Sequence, residues 1–579
     1  MFRLTPPSEP DRTRSPRACF PCAHAKAKCE FEVEESICNR CRRLKKPCAG
    51  QVPGAHRRKS RPASDVARLE RKLDGVAAVL AASKRVGSSL LPNQLSISDS
   101  TVLSPSDHVG QILKDNEELL ILNAFRKDLG QHFPFVVIPP HMTPDDLKDA
   151  KPFLFMTVMT VGCRHDVERQ SALAQKVREV VSHRMIVGGE QSLDILQGLL
   201  IYLAWLQVHF HLGSQLCNLT HLAMSVVSDL GLNKNVQQRL MGTFGTLKYF
   251  RPPERQIPKR SLDERRAFLG CFYVSTMVSV NARDFEPIRY SSYADECCRT
   301  LEERAEYPCD KYLVNLVRIM YMGSKIARSF TQDEWDVSSG LSAPVGAYVR
   351  ALDAEMQNLK AALPSGTLFA DILWLHYFFV EILLYEVAVH DSIGSAGYSD
   401  FSMTRLKMLF TCLNSTKSFF EKWHALPTSA YFDFTYFQWS LMGHASVVLA
   451  KLCLFSGEGW DSNYARDTFD FCATVDTVMI KMNEAKTLAE HSAVQLPRDP
   501  NTLPWGVPQM FQDFTPRLQQ WKELHKYKAA QILQGQQPQV LSSVVADDLP
   551  SVTAHDEFLF PGGSSLVDFL DDSFWPQLL

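Results

Sequence analysis

The chain has 579 residues, 45% of them hydrophobic and 22% charged, the balance of a soluble globular protein long enough for several domains and a large core. Its formal net charge of -2 is unevenly spread: residues 1–75 hold 18 Lys and Arg against 9 Asp and Glu, so a polyanion partner is expected for that segment and not for the mildly acidic remainder. The most apolar run, Leu199–Leu206, is far shorter than the roughly 20 residues a bilayer demands. The polar start MFRLTPPSEPDR also lacks the apolar stretch of a secretory signal. No membrane partner is expected, and the cysteines outside the N-terminal region, Cys297 and Cys298 among them, read as reduced thiols.

Residues 1–18 read as a disordered N-terminus. From Cys19 to Cys48 the chain runs CFPCAHAKAKCEFEVEESICNRCRRLKKPC. Six cysteines fall into two halves, Cys19, Cys22 and Cys29, then Cys38, Cys41 and Cys48, each spaced C-x2-C-x6-C. Structural zinc takes four thiolate or imidazole ligands in a tetrahedron, so six cysteines cannot fill two separate four-thiolate sites. Two ions need eight ligand positions, which six sulfurs supply only when two of them bridge. The repeat makes Cys19 and Cys38 the bridging pair, with Cys22 and Cys29 completing one ion and Cys41 and Cys48 the other. A single four-ligand site that recruits His24 or His56 is the alternative. A disulfide framework would need an oxidising compartment.

This stretch resembles the DNA-binding domain of the fungal zinc binuclear cluster transcription factors of the galactose-regulator type. The resemblance implies two structural zinc ions and a first short helix that enters the major groove of double-stranded DNA to read a CGG-like triplet. Carried over residue by residue, it puts base contact on Lys26 and phosphate or base contact on Lys28. The chain departs from the pattern at Ala23 and Ala25, which replace side chains that are usually basic. It departs again at Glu35, Ser36 and Ile37, where a proline usually precedes the fourth cysteine.

Residues 49–64 form a basic linker rich in glycine, proline and serine, with Arg57, Arg58, Lys59 and Arg61 in a row. These side chains suit phosphate contact with counterion release and, together with Arg40–Lys46, nuclear import. A solvated linker is the plain alternative. Residues 65–86 follow with Ser64 as N-cap and Val66, Leu69, Leu73, Val76 and Leu80 at steps of three and four, the seam of a short coiled coil. Gly75 inside it costs about 1 kcal/mol relative to alanine. A homodimer on DNA is expected, the alternative being one surface helix docked on the body. Residues 87–107 are serine-rich and read as a second linker.

Residues 108–490 carry helical patterning with few strand-like alternations. Thr143-Pro144-Asp145-Asp146 offers an N-cap, a proline at N1 and acids on the first turn. Ser261 with Glu264 reads as a capping box, and Gly188-Gly189 and Gly213 read as stops. The stretch QSLDILQGLLIYLAWLQVHF is apolar around most of its circumference and is expected to be buried. Five strings, HFPFVVIP at 132–139, KPFLFMTVMTVGC at 151–163, SLDILQGLLIYLAW at 192–205, LAMSVVSDLGL at 222–232 and DERRAFLGCFYVS at 263–275, resemble the middle homology region of the same family. That resemblance implies a regulatory body that in some members binds metabolites or partner proteins, and hence a small-molecule effector. Catalytic motifs are lacking. His209 and His211 are two residues apart and fall on different helix faces, Cys163 with His165 has no evident orienting acid, and no phosphate-binding glycine loop or H-E-x-x-H string occurs.

Residues 491–540 read as a Pro/Gln-rich linker, and 541–579 as an acidic-hydrophobic tail in which Phe558, Leu566, Phe569, Leu570, Phe574 and Trp575 are interleaved with acids. This is the composition of an activation segment that meets transcription coactivators; a terminal helix docked on the body is the alternative. The expected fold is thus mainly α: a small N-terminal zinc binuclear cluster domain, a short coiled coil, a large all-helical regulatory domain and a disordered acidic C-terminal tail. The expected function is a nuclear, sequence-specific regulator of RNA polymerase II genes, an activator of a metabolic or secondary-metabolite pathway and not an enzyme. A repressor of the same class is one alternative. A zinc or redox sensor, or a protein-interaction module, is another.

Overall fold

In the computed structural model the described residues are 19, 22, 28–30, 37–48, 104–212, 215–234, 260–281, 285–329, 342–389, 399–455, 457, 459–495 and 509–533. They belong to two compact units, Met1–Thr101 and Val102–Leu579. Regular structure among the described residues is helical, without strands, as the patterning predicts. In the first unit the one long enough to label is α1 (Asn39–Arg43).

The second unit opens with α2 (Pro105–Gly110), α3 (Asp115–Ala124), α4 (Pro144–Ala150), α5 (Pro152–Gly162), α6 (Val167–Val181), α7 (Leu193–Ala204) and α8 (Leu216–Asp229). Its middle holds α9 (Leu262–Asn281), α10 (Ser292–Arg304), α11 (Asp310–Ser329), α12 (Ser342–Ala362) and α13 (Leu368–Tyr385). It closes with α14 (Ser399–Ala425), α15 (Tyr436–Leu454), α16 (Ser462–Thr468), α17 (Phe471–Gln495) and α18 (Gln509–Leu533). Local chemistry sets many of the starts. Thr143 with Asp146, Ser261 with Glu264, and Thr435 with Gln438 exchange reciprocal side-chain-to-backbone bonds, each satisfying two amides that the helix itself leaves free. Past α6, Gly188 and Gly189 end the chain's helical course, with Gly189 at φ 64°, a left-handed conformation that glycine adopts without a Cβ clash.

The apolar helices α5 and α7 pack on each other, and α7 also meets α8 and α9. From Asp194 to Ala204 every side chain of α7 is buried. Their approach is close: a Cβ on Gly198 would fall 2.4 Å from the Phe153 ring. No residue of its own caps α5. Instead Asp194 of α7 accepts from the Phe153 and Leu154 amides at 3.1 and 2.8 Å, placing a carboxylate at the positive end of the α5 dipole. Arg184 sits 3.2 Å from the same carboxylate.

Helices α11, α14 and α15 surround α13. With the turn that follows it, α13 forms an apolar segment, Leu368–Val389, of mean hydropathy 1.7. By length and composition alone this segment could cross a membrane, so the expectation that no apolar stretch reaches the length a bilayer demands is corrected. The cause is placement: 78% of its most apolar window is buried inside the body, and its polar groups are partnered there. Glu381 accepts from the Tyr377 and Ser415 hydroxyls at 3.1 and 2.7 Å. His376 donates to the Ile372 carbonyl, leaving its other nitrogen to accept from Tyr273 at 3.0 Å. Lys422 of α14 pairs with Asp371 at 2.8 Å. It is a core helix.

The expected Pro/Gln-rich linker at 491–540 also differs. Helix α17 runs on to Gln495, and α18 lies inside the supposed linker, packed on α17. Phe514, Leu518, Trp521 and His525 recur at steps of four, three and four and are all buried. Phe471 meets Trp521 and His525 at ring distances of 4.5 and 4.4 Å. That apolar stripe outweighs the glutamine- and proline-rich composition around it. The coiled-coil positions Val66 to Leu80, the tail from 541 and the stop at Gly213 lie outside the described residues.

One buried ion cluster ties α9 to α11. The fully buried Arg266 donates to Asp310 at 2.8 and 3.1 Å, to Glu306 at 2.8 Å and to Asp263 at 3.0 Å. Removing one partner strands the other charge, so Asp310→Ala should destabilise the body by about 3–5 kcal/mol. The double change Asp310→Ala, Arg266→Met should recover part of that loss. Denaturant unfolding of the full-length chain measures both, and equal midpoints for wild type and Asp310→Ala would contradict this account.

Candidate metal centre and nucleic-acid interface

Cys19, Cys22, Cys38 and Cys41 are buried, and their sulfurs all lie within 4.8 Å of one another. Cys19 Sγ is 3.7 Å from Cys38 Sγ and 3.6 Å from Cys41 Sγ, and Cys22 Sγ is 3.6 Å from Cys38 Sγ. Four thiolates around zinc at about 2.3 Å define a tetrahedron with edges of about 3.8 Å, so these separations are those of a metal-thiolate shell. Cys29 and Cys48 pack against the four, and all six cysteines are free of disulfides. The donor set fits a structural metal.

The two halves of the sequence repeat as structure. The Cys19 amide donates to Cys29 Sγ at 3.3 Å, and the Cys38 amide donates to Cys48 Sγ at 3.4 Å. Each first cysteine therefore organises the last cysteine of its own half. Each also touches the second cysteine of the other half, Cys19 to Cys41 and Cys38 to Cys22. Cys38 caps α1, its sulfur accepting from the Cys41 amide at 3.4 Å. That hydrogen bond leads the effects that bring the Cys38 thiol down to about 6, favouring the thiolate that a metal binds. Burial pushes Cys41 up to about 12 and raises Cys19 as well.

Around this centre the cations are distributed unequally. Lys28 is exposed and pairs with the exposed Glu30 at 2.5 Å; Lys26 lies outside the described residues, as do Arg57, Arg58, Lys59 and Arg61. On the second half, Arg42, Arg43, Leu44, Lys45 and Lys46 are all exposed, and the Arg40 guanidinium lies 3.9 Å from Cys22 Sγ. Arg42 is tied to Asn39 Oδ1 at 2.8 Å. Helix α1 ends in a Schellman turn: the Lys46 amide bonds to the Cys41 carbonyl at 3.0 Å and the Lys45 amide to the Arg42 carbonyl at 3.2 Å. The residue at the left-handed position is Lys45, at φ 48°, where glycine is usual and a side chain costs roughly 1–2 kcal/mol. The sequence assigns this segment, Arg40–Lys46, to nuclear import together with the basic linker, and the exposure of Arg42, Arg43, Lys45 and Lys46 is compatible with that.

In the body, the pairing of Cys163 with His165 makes no nucleophile. Burial pushes the Cys163 thiol up to about 12 and holds His165 below its ordinary value, and the thiol faces the Asp166 carbonyl at 3.8 Å. Cys297 and Cys298 are buried.

The model of the WAR1 C-terminal domain family matches residues 99–430, more than half of the chain. The chain belongs to that family. Its region is the middle, regulatory part of fungal transcription factors. The chain is 29% identical over 478 residues to transcription factor opdL of Penicillium oxalicum, covering 80% of this chain and 83% of that protein. It is 28% identical over 470 residues to transcription factor himD of Aspergillus japonicus, covering 77% and 76%. Transcription factor pbcR of Emericella nidulans is 21% identical over 360 residues, covering 55% and 48%. No solved structure matches the chain. With its cysteine cluster fitting a zinc cluster, the family member is a transcription factor of the fungal zinc-cluster type, and such factors are not enzymes.

Proposed function

We propose that this factor is a nuclear, sequence-specific DNA-binding activator that works as a homodimer, its six cysteines holding two structural zinc ions. The observation that carries the reading is the thiol cluster of Cys19, Cys22, Cys38 and Cys41, set in a basic segment ahead of a family regulatory body. Cys19 and Cys38 would bridge the ions, because each of these two sulfurs contacts the other and also reaches into the opposite half. Each ion would then have four sulfurs, and the metals would supply the charge that holds the thiolates together.

DNA contact is assigned to Lys26 and Lys28 by resemblance, and to Arg57, Arg58, Lys59 and Arg61 by charge. Dimer contact is assigned to Val66, Leu69, Leu73, Val76 and Leu80. The helical body would take a small-molecule effector, and the residues Phe558, Leu566, Phe569, Leu570, Phe574 and Trp575 would engage coactivators. The resemblance favours genes of a metabolic or secondary-metabolite pathway as targets.

The purified full-length protein should carry two zinc ions per chain; a measured ratio of one would overturn the bridged arrangement. It should prefer duplexes with CGG-like triplets over scrambled ones. With about six phosphate contacts its affinity should fall about a thousand-fold between about 50 and about 200 mM salt. Binding without sequence preference would refute the DNA-reading function. The double change Phe569→Ala, Trp575→Ala should lower reporter output without altering promoter occupancy, whereas a rise in output would mark a repressor.

A further inference from the structure

The interior of the body contains polar atoms that no described neighbour satisfies, and two of them flank one spot. The hydroxyl of the buried Tyr312 on α11 has no hydrogen-bond partner among the described residues, and neither has Nδ1 of the buried His132. A buried polar atom left without a partner is costly, so a pair of them calls for an explanation. The His132 and Phe369 rings lie 6.0 Å apart, and Phe369 lies 5.3 Å from Tyr312. Burial, with Tyr273 beside it, pushes the Tyr312 hydroxyl well above its ordinary value. The Tyr273 ring in turn is 6.2 Å from Phe133, the chain neighbour of His132. These contacts close a circuit drawn from α9, α11, the start of α13 and the segment ahead of α4.

The surroundings define what would fit there. The Tyr273 hydroxyl proton is committed to His376 at 3.0 Å, whereas the Tyr312 proton is free to meet an acceptor. Burial brings His132 and His376 down to about 4, so both imidazoles are neutral near neutral pH. Arg164 also bears on His132, but its guanidinium already lies 2.5 Å from Asp433 and 3.7 Å from Asp128. An anion placed in the circuit would lose its hydration without gaining an uncommitted cation. The rings favour a flat apolar body with a few polar groups, the usual balance of a small-molecule site. Phe369 is half-buried, so it touches both the circuit and the solvent.

We infer that His132 and Tyr312 hold the effector of this body, an uncharged, flat aromatic compound whose carbonyl oxygen accepts from the Tyr312 hydroxyl and whose own hydroxyl meets His132 Nδ1. The inference rests on the effector reading above and deepens it by naming the site and the ligand class. Segments far apart in the chain supply the circuit, so a ligand seated in it bears on how α9, α11 and α13 pack together. Buried water is the rival occupant for such atoms, and the test separates the two.

The test titrates the full-length protein with para-hydroxyacetophenone and with para-hydroxybenzoate, its anionic analogue of similar shape, followed by ligand-observed NMR. The wild type should bind the ketone about ten-fold more tightly than the benzoate. Tyr312→Phe removes only a hydroxyl without a partner, so its melting temperature should match or exceed that of the wild type, while its affinity for the ketone falls about ten-fold. His132→Leu should weaken the ketone likewise. As a control, Tyr377→Phe removes a hydroxyl bonded to Glu381 outside the circuit; it should lower the melting temperature and leave the affinity unchanged. Equal affinity in the wild type, Tyr312→Phe and His132→Leu would overturn the inference, as would preference for the benzoate. A wild type that ignores the ketone would also overturn it, leaving water as the occupant. Binding at this site without any change in reporter output would support the site and count against the effector reading, so the two failures are distinguishable.

Discussion

Among the described residues of the N-terminal unit, no apolar side chains other than cysteines form a core. The residues buried together in it are Cys19, Cys22, Cys38 and Cys41, with Cys29 and Cys48 against them, and a segment of this length is too short to stabilise itself by hydrophobic burial. Its folding must come from the sulfur cluster. As thiolates, sulfurs at separations of 3.6–3.7 Å would repel one another, and metal held by them would turn that repulsion into the binding energy that folds the module. The placement of α1, its cap by Cys38 and the exposure of the cations at its end all descend from that one cluster.

The body follows different rules. It is held by apolar burial, with polar groups spent on fixing which helix meets which. Asp194 reaches from α7 to cap α5, Arg266 joins α9 to α11, and Glu381 joins α13 to α14 through Ser415. Each of these would be costly unpaired in a dry interior, so together they penalise wrong pairings among helices whose surfaces are otherwise uniformly greasy. Regulation through such a body would work by shifting one packed arrangement to another, since close contacts such as Gly198 on Phe153 leave little room for gradual change.

What could be read from the residues was what is local or repeated. The N-cap at Thr143 and the capping box at Ser261 lie within a few residues, the stop at Gly188-Gly189 spans two, and the cysteine spacing announces itself by recurring. The partnership of Arg266 with Asp310, 44 residues apart, has no local signature. Composition misled where it conflicted with periodicity. In α18 glutamine and proline hid a stripe of Phe514, Leu518, Trp521 and His525, and in α13 scattered polar residues broke up an apolar segment that counting uninterrupted runs could not register.

The hydrophobicity of α13 has a consequence for synthesis. The helices that cover it on two sides, α14 and α15, begin at Ser399 and Tyr436, so α13 leaves the ribosome before its shelter exists. For that interval the nascent chain displays a segment with the hydropathy of a signal anchor. Two of the groups that mark it as a core helix, Asp371 and Glu381, still lack a partner then, because Lys422 and Ser415 have not been translated. A chain interrupted between α13 and α15 would keep that surface bare, and such fragments would be targets for chaperones, for mistaken delivery to a membrane or for aggregation.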